Sequence, residues 1–233
     1  MSEILLLSSG LDSFVSWHFL GKPPALHITG HSRYSKPELR YVLLMKQFHP
    51  EMNLRIIDIG SWLKEFEEPD ANLVARNSLF CHIAAYYADT IFLPCQLGEQ
   101  SIPDRNPENL RVLANTLSVF YGKPKEINIV FPNRTKQGIV KLYLEQGLSH
   151  KELTEITYSC MSGRSTRCGE CGMCARTSIA LEYNGIETKG LFKKNIWKWS
   201  GWGNYVNKLK KGEYEPTRTR EWIEVLKKRG IWK

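Results

Sequence analysis

Apolar residues gather in five short runs, at 3–8, 25–29, 54–59, 90–94 and 127–131. Short apolar runs bounded by Gly, Pro and polar clusters read as strands. Between them the apolar spacing changes to the three-and-four period of a helix. Helices are predicted over 14–20, from about Pro37 to Phe48, briefly over 62–66, from about Asn72 to Asp89, and over 108–120 and 136–145. Lys22, Pro23 and Pro24 break the first of these, and Pro37 suits a first helical turn. Glu67, Glu68, Pro69 and Asp70 separate the short helix from the long one. Near-continuously apolar strands alternating with helices predict an α/β protein, a five-stranded parallel sheet with helices on both faces. Ligands of such sheets sit beyond the carboxyl ends of the strands. The 8–13 turn, the 30–36 loop and the 96–106 loop all belong at those ends.

The first of these turns carries the clearest chemistry. Ser8, Ser9, Gly10, Leu11, Asp12 and Ser13 join a strand to a helix. That arrangement aims backbone N–H groups and the positive end of a helix dipole at an anion. Glycine permits a close backbone approach, and the serine hydroxyls add donors. A phosphate is the expected ligand, although the G-x-x-x-x-G-K-S/T pattern of a P-loop is absent. The same residues also suit a buried strand with an ordinary Ser/Gly turn and a helix cap.

Cysteine usage adds a second feature. Cys160, Cys168, Cys171 and Cys174 follow a C-x7-C-x2-C-x2-C spacing. Four clustered thiolates favour tetrahedral Zn²⁺ with no open position, a structural site of the zinc-knuckle kind. An iron–sulfur cluster held by the same four cysteines and a set of reduced thiols are the alternatives. Such a site would tie the loop after Ser159 to a helix starting near Gly172. Cys81 and Cys95 read as a core thiol and a strand-end residue.

Charge changes the picture only at the end of the chain. The net charge is +8, yet residues 189–233 hold 13 Lys+Arg against 4 Asp+Glu, and the rest of the chain is nearly neutral. This tail interleaves Lys with Trp197, Trp199, Trp202 and Trp222, and 221–229 has helical spacing with Trp222, Val225 and Leu226 on one face. Basic residues among tryptophans can bind nucleic acid. Apolar periodicity more often means packing on the body or on a second subunit, with the lysines in water, and that is the favoured reading. The expected organisation is an α/β body over 1–156, a metal-binding segment over 157–188 and a basic extension over 189–233. No stretch approaches the roughly 20 apolar residues of a membrane span. With no signal-peptide pattern at the start, a cytoplasmic location is expected.

Several segments together resemble one family. Ser8–Gly10–Asp12–Ser13 resembles the S-G-G-x-D-S pyrophosphate loop of the PP-loop ATP pyrophosphatases, with Ser9 at the first glycine. Leu73-Val74-Ala75-Arg76-Asn77 resembles a P-G-R-N segment, with Ala75 at the glycine. Ile102 to Glu108 resembles Y-P-D-C-R-P-E, 135–140 resembles T-K-x-E-I-V, and Thr157-Tyr158-Ser159-Cys160 resembles T-W-S-C. In this order, over about residues 3–180, these are similar to 7-cyano-7-deazaguanine synthase. The resemblance implies a PP-loop (adenine nucleotide alpha hydrolase-like, Rossmann-like) fold, a homo-oligomer, and ATP, Mg²⁺ and Zn²⁺ as cofactors. It implies that the carboxylate of 7-carboxy-7-deazaguanine is adenylated with release of pyrophosphate. Ammonia then gives an amide, and a second adenylation a nitrile.

By the same resemblance, Ser8, Ser9, Gly10, Leu11, Asp12 and Ser13 hold the phosphates with bridging Mg²⁺, and Ile28 and Thr29 read adenine. Lys136, Asp12 and Arg76 are implied as catalytic residues. Arg76, Asn77, Asp104, Arg105 and Lys136 are implied as substrate contacts, with Asp104 on the purine-like donor edge. Asn106 stands where the family has arginine, and Gly30-His31-Ser32-Arg33-Tyr34 replaces its Y-G-Q-R-H loop. Relatives in anti-phage operons, including type IV CBASS, attach a deazaguanine to a partner protein by an amide. That conjugation is a second reading, and a PP-loop enzyme acting on tRNA is a third.

Overall fold

The structure is a computed structural model that describes residues 2–68 and 73–232. Its centre is a five-stranded sheet, all parallel, in the order β3-β2-β1-β4-β5. The strands are β1 (Glu3–Leu6), β2 (Ala25–Thr29), β3 (Leu54–Asp58), β4 (Thr90–Gln96) and β5 (Glu126–Phe131). The helices of the body are α1 (Leu11–Phe19), α2 (Ser35–Phe48), α3 (Arg76–Ala84), α4 (Pro107–Tyr121), α5 (Lys136–Glu145) and α6 (His150–Glu155). The predicted α/β architecture is therefore present. It follows from strand alternation: Leu5 and Leu7 point to one face, where Phe14, Trp17, Ile139 and Tyr143 pack. Ile4 and Leu6 point to the other, against Ala84, Ile91, Leu110 and Leu117.

Several boundaries differ from the predicted ones. Helix α2 starts at Ser35, two residues before Pro37. Strand β4 runs to Gln96 through Pro94, and its pairing with β5 shifts register between Leu93 and Gln96. A proline gives no ladder donor and favours such an irregularity. Helix α3 is shorter than 72–89. Its first turn is preceded by Ala75 in a left-handed conformation, φ 56°. At the other end the Asp89 N–H has turned to Ser2 O at 2.9 Å, which begins β4. The predicted start near Asn72 and the break at Pro69 and Asp70 lie outside the described residues. The short helix at 62–66 is a 3-10 turn. Strand β3 is not covered on both faces, since Arg55 and Ile56 are exposed at this sheet edge.

The remaining chain adds α7 (Gly172–Tyr183), α8 (Trp202–Lys210) and α9 (Pro216–Lys228). Helix α7 starts where the cysteine spacing places it. Helices α6 and α8 were not predicted, and α9 begins five residues earlier than 221–229. This region has its own apolar cluster. Tyr158, Cys168, Cys174 and Ile179 pack with Ile196, Trp202, Trp222 and Leu226. The tail therefore turns Trp202 and Trp222 inward, as the packing reading expects. Trp197 stacks on Trp202 at 5.5 Å, and Tyr205 lies 5.1 Å from Trp222. The 157–188 segment and the extension share one core.

Candidate active site

A cleft of about 560 Å³ opens at the carboxyl ends of β1, β2 and β4. One wall comes from the sheet: the 8–13 turn, Ile28, the start of α3, and the loop carrying Glu99 to Arg105. The other comes from Tyr158, Ser159, Cys160, Arg176 on α7 and Tyr205 on α8.

The 8–13 turn is preorganised by its own side chains. Ser8 Oγ and Ser13 Oγ are 2.8 Å apart, the Ser8 N–H donates to Ser13 Oγ at 3.2 Å, and the Gly10 N–H donates to Ser8 Oγ at 3.2 Å. Gly10 caps α1 with extended backbone and no side-chain cap, which leaves first-turn N–H groups for an outside acceptor. A Cβ at Gly10 would stand 3.2 Å from Ser8 Oγ and 3.3 Å from Ser159 Oγ, so a larger residue crowds the turn. Ser9 faces away from the cradle. Its hydroxyl donates to Tyr158 O at 2.7 Å, and the Tyr158 N–H donates to Ser9 O at 2.6 Å. The serine that departs from the family pattern thus fastens the turn to the cysteine segment. The Leu11 side chain lies in the core, and Thr29 is buried outside the cleft lining.

Lys136 opens α5 and is buried there, paired with Asp12 Oδ2. Burial pushes the Asp12 carboxyl above its ordinary range, and Lys136 only partly offsets it. Asp12 Oδ1 is buried with no hydrogen-bond partner among the described residues. A group that would repay that oxygen is a cation or a donor brought by a ligand.

The 99–106 loop supplies a second charged pair. Arg105 Nη1 lies 2.9 Å from Glu99 Oε2. Burial works against the Glu99 charge, but Arg105 and then Lys136 outweigh it and hold the carboxyl below its ordinary range. Asp104 Oδ2 accepts the Asn77 N–H at 2.9 Å, so Asp104 caps the start of α3 while lining the cleft. Arg76 Nη1 donates to Tyr34 Oη at 2.6 Å and lies over Phe80. Asn106 is committed elsewhere, since its side chain accepts the Glu108 and Asn109 N–H groups at the start of α4. Arginine's usual place in this loop is thus occupied by a helix cap, and Arg105 carries the charge.

Sequence reasoning named Tyr34 only as part of the altered 30–34 loop and did not single out Glu99, Arg176 or Tyr205. Glu99 follows Gly98 in a polar loop, a weak signal. Arg176 follows the last cysteine by two residues on α7, which is a usable one. Its Nε is buried without a hydrogen-bond partner among the described residues. Tyr205 comes from the extension, and a Cβ on Gly172 would meet its hydroxyl at 2.6 Å.

The four cysteine sulfurs lie within 4.8 Å of one another, Cys168 Sγ and Cys174 Sγ being 3.9 Å apart. Tetrahedral Zn–S bonds of about 2.3 Å separate sulfurs by about 3.8 Å. Backbone N–H groups of Cys168, Glu170 and Cys174 face the sulfurs of Cys160, Cys168 and Cys171 at 3.2–3.5 Å. The donor set and spacing fit one tetrahedral metal with no open position.

Comparison with known proteins places this geometry in context. Residues 46–185 match the family model described as "Queuosine biosynthesis protein QueC". The 7-cyano-7-deazaguanine synthase of Thermoplasma volcanium is 32% identical over 120 residues, 47% of this chain and 48% of that protein. That of Methanosphaera stadtmanae is 28% identical over 216 residues, 76% of this chain and 92% of that protein. The chain thus spans about half the length of some curated relatives it matches and nearly all of others. Among solved structures, NMN synthetase from Francisella tularensis has a TM-score of 0.44 at 12% identity, covering 88% of this chain and 85% of that one.

Proposed function

Since the chain belongs to the QueC family of queuosine biosynthesis proteins, we propose that it is an ATP-dependent enzyme that activates the carboxylate of 7-carboxy-7-deazaguanine. The observation that carries this reading is the buried Asp12–Lys136 pair, of which Asp12 lines the cleft with Ser8 and Ser13 while Lys136 stands behind it, outside the lining. The cradle N–H groups and the Ser8 and Ser13 hydroxyls hold the pyrophosphate end of ATP. Lys136 neutralises charge at the α-phosphate as the substrate carboxylate oxygen attacks it and pyrophosphate departs. Asp12, whose Oδ1 has no hydrogen-bond partner among the described residues, is the residue that would hold a Mg²⁺ ion, which would screen the phosphate charge. Arg105 and Arg176 face the same space and hold the carboxylate or the acyl adenylate. Ammonia then attacks the acyl carbon and AMP leaves. Zn²⁺ is the metal proposed for the four cysteines, where it fixes the wall made by Tyr158, Arg176 and Tyr205.

Incubation with ATP, Mg²⁺, ammonia and 7-carboxy-7-deazaguanine, followed by mass spectrometry, tests the reading. AMP with free nitrile or free amide supports it and names the product. AMP with a mass shift on a co-expressed protein supports activation with conjugation to a partner instead. No AMP under any of these conditions overturns adenylation. A tRNA thiolase of the kind that works through a cysteine needs a reactive thiol near the nucleotide. Cys95 lines the cleft, but burial pushes its thiol far above the ordinary range. Cys95→Ala is therefore expected to keep kcat within about twofold; a loss of activity with the fold intact would favour thiol chemistry.

A further inference from the structure

The end of α1 farthest from the cleft carries a cluster that the proposed chemistry does not use. At about 1.5 Å per residue, His18 lies about 9 Å along the helix from Asp12. His49 follows α2, and Glu152 lies in α6. One ligand atom from each of the three falls within 4.8 Å of the others. We propose that His18, His49 and Glu152 form a second metal site, taking Zn²⁺ through two imidazole nitrogens, one carboxylate oxygen and a solvent molecule.

The donors are poorly served without an ion. The Nε2 atoms of His18 and His49 are buried and have no hydrogen-bond partner among the described residues. His49 Nε2 is 3.3 Å from Glu152 Oε2, outside hydrogen-bond geometry. Two ligands on a tetrahedral ion at about 2.1 Å stand about 3.4 Å apart, so this pair is already at ligand spacing. The other separations stay within 4.8 Å and would have to close toward that spacing when an ion binds. Two imidazoles and a carboxylate suit Zn²⁺ better than Mg²⁺ or Ca²⁺, which prefer all-oxygen sets.

The surroundings hold the donors in place. The Tyr143 hydroxyl donates to Glu152 Oε2 at 2.8 Å, orienting the carboxylate. Glu51 Oε1 stands 3.6 Å from His49 Nδ1, on the side of the ring away from the site. A carboxylate behind a ligating imidazole steadies its orientation and raises its basicity. The nearby cation Lys22 is paired with that same Glu51 at 2.6 Å. Phe14, Trp17 and Tyr143 pack around the two rings, while the Glu152 side chain is 29% exposed and leaves an entry path. An ion here would pin the ends of α1 and α2 to α6.

The test begins with protein whose cysteine cluster is already filled, shown by one equivalent of zinc on metal analysis. Zn²⁺ is then titrated in by calorimetry, and long-range proton–nitrogen spectra of the imidazoles are recorded. One further equivalent is expected, with the His18 and His49 nitrogen resonances shifting together. Glu152→Gln is expected to weaken this uptake roughly tenfold or more, and His49→Gln to abolish it, with the cysteine-bound zinc retained. No uptake beyond the cysteine site, uptake that leaves both imidazoles unmoved, or unchanged uptake in folded variants would overturn the proposal. If a variant does not fold, the wild-type imidazole spectra decide alone. None of these readouts depends on the carboxylate-activation reading.

Discussion

The two walls of the cleft are built in different ways. The sheet wall is held by backbone. Parallel strands fix where the 8–13 turn and the 99–106 loop emerge, and helix starts position Asp12 and Asn77. Among the described residues, the opposite wall has no strand. Tyr158, Arg176 and Tyr205 sit on a lobe whose centre is four sulfurs and a stack of aromatic rings. The sheet wall should therefore survive loss of metal, whereas the second wall should not. Under the proposed function, phosphate recognition would fall to the first wall and acceptor recognition would draw on both.

The largest expected effect comes from breaking the sulfur centre. Cys168→Ser, or prolonged chelation, should cost several kcal/mol of lobe stability, because metal binding there is also folding free energy. Trp202 and Trp222 are packed beside the sulfurs, so tryptophan emission should shift to longer wavelength while far-UV dichroism from the sheet persists. Cooperative loss of both signals together would show that the two walls fold as one unit.

Next is the buried Asp12–Lys136 pair. Lys136→Met removes the partner of buried Asp12. AMP formation should fall by about 10²–10³, the usual scale for removing one charge stabiliser from an active site. Stability should drop by about 3–5 kcal/mol if the carboxylate stays charged, and by less if it takes up a proton. Single-turnover AMP release separates the chemical effect from the thermal one. A rise in KM alone, with kcat intact, would assign Lys136 to ground-state binding.

How much of this was legible beforehand also divides along the two walls. The five strands, the helices between them and the loops at the carboxyl ends follow from apolar periodicity, a local signal. The cysteine cluster follows from spacing. What sequence could not supply was pairing between distant segments. Ser9 meets Tyr158 across 149 positions, and Lys136 meets Asp12 across 124. Tyr205 reaches the cleft only because α8 packs on the start of α7. Helix α6 was missed because six residues with one buried leucine show no period. Asn106 stands where the resemblance has arginine, and only the structure shows its side chain closing the first turn of α4.

The link between the walls gives a smaller prediction. Ser9→Ala deletes the hydroxyl that donates to Tyr158 O and leaves that carbonyl underserved in a buried place. A loss of about 1–2 kcal/mol in stability is expected. KM for the acceptor should rise more than KM for ATP, because the phosphate cradle uses Ser8, Gly10 and Ser13 and not the Ser9 side chain. Equal changes in both would mean that the turn itself has shifted.

The smallest effect concerns Ala75, where the resemblance expects glycine. Ala75 sits at φ 56° and ψ 18°, in the left-handed region, just before Arg76 and Asn77. An L-residue there costs about 1–2 kcal/mol relative to a relaxed conformation. Glycine relieves that strain but loosens the unfolded chain by about 0.4–1 kcal/mol. Ala75→Gly should therefore raise stability by about 0–1.6 kcal/mol, read as a small increase in denaturation midpoint with unchanged denaturant slope. The sign carries the argument. A gain shows that α3 starts from a strained turn that this chain tolerates in order to hold Asn77 on Asp104 and Arg76 on Tyr34. A loss shows that the left-handed turn is stabilised by the alanine methyl, and that the sheet wall is less dependent on backbone geometry than its partner lobe is on side chains.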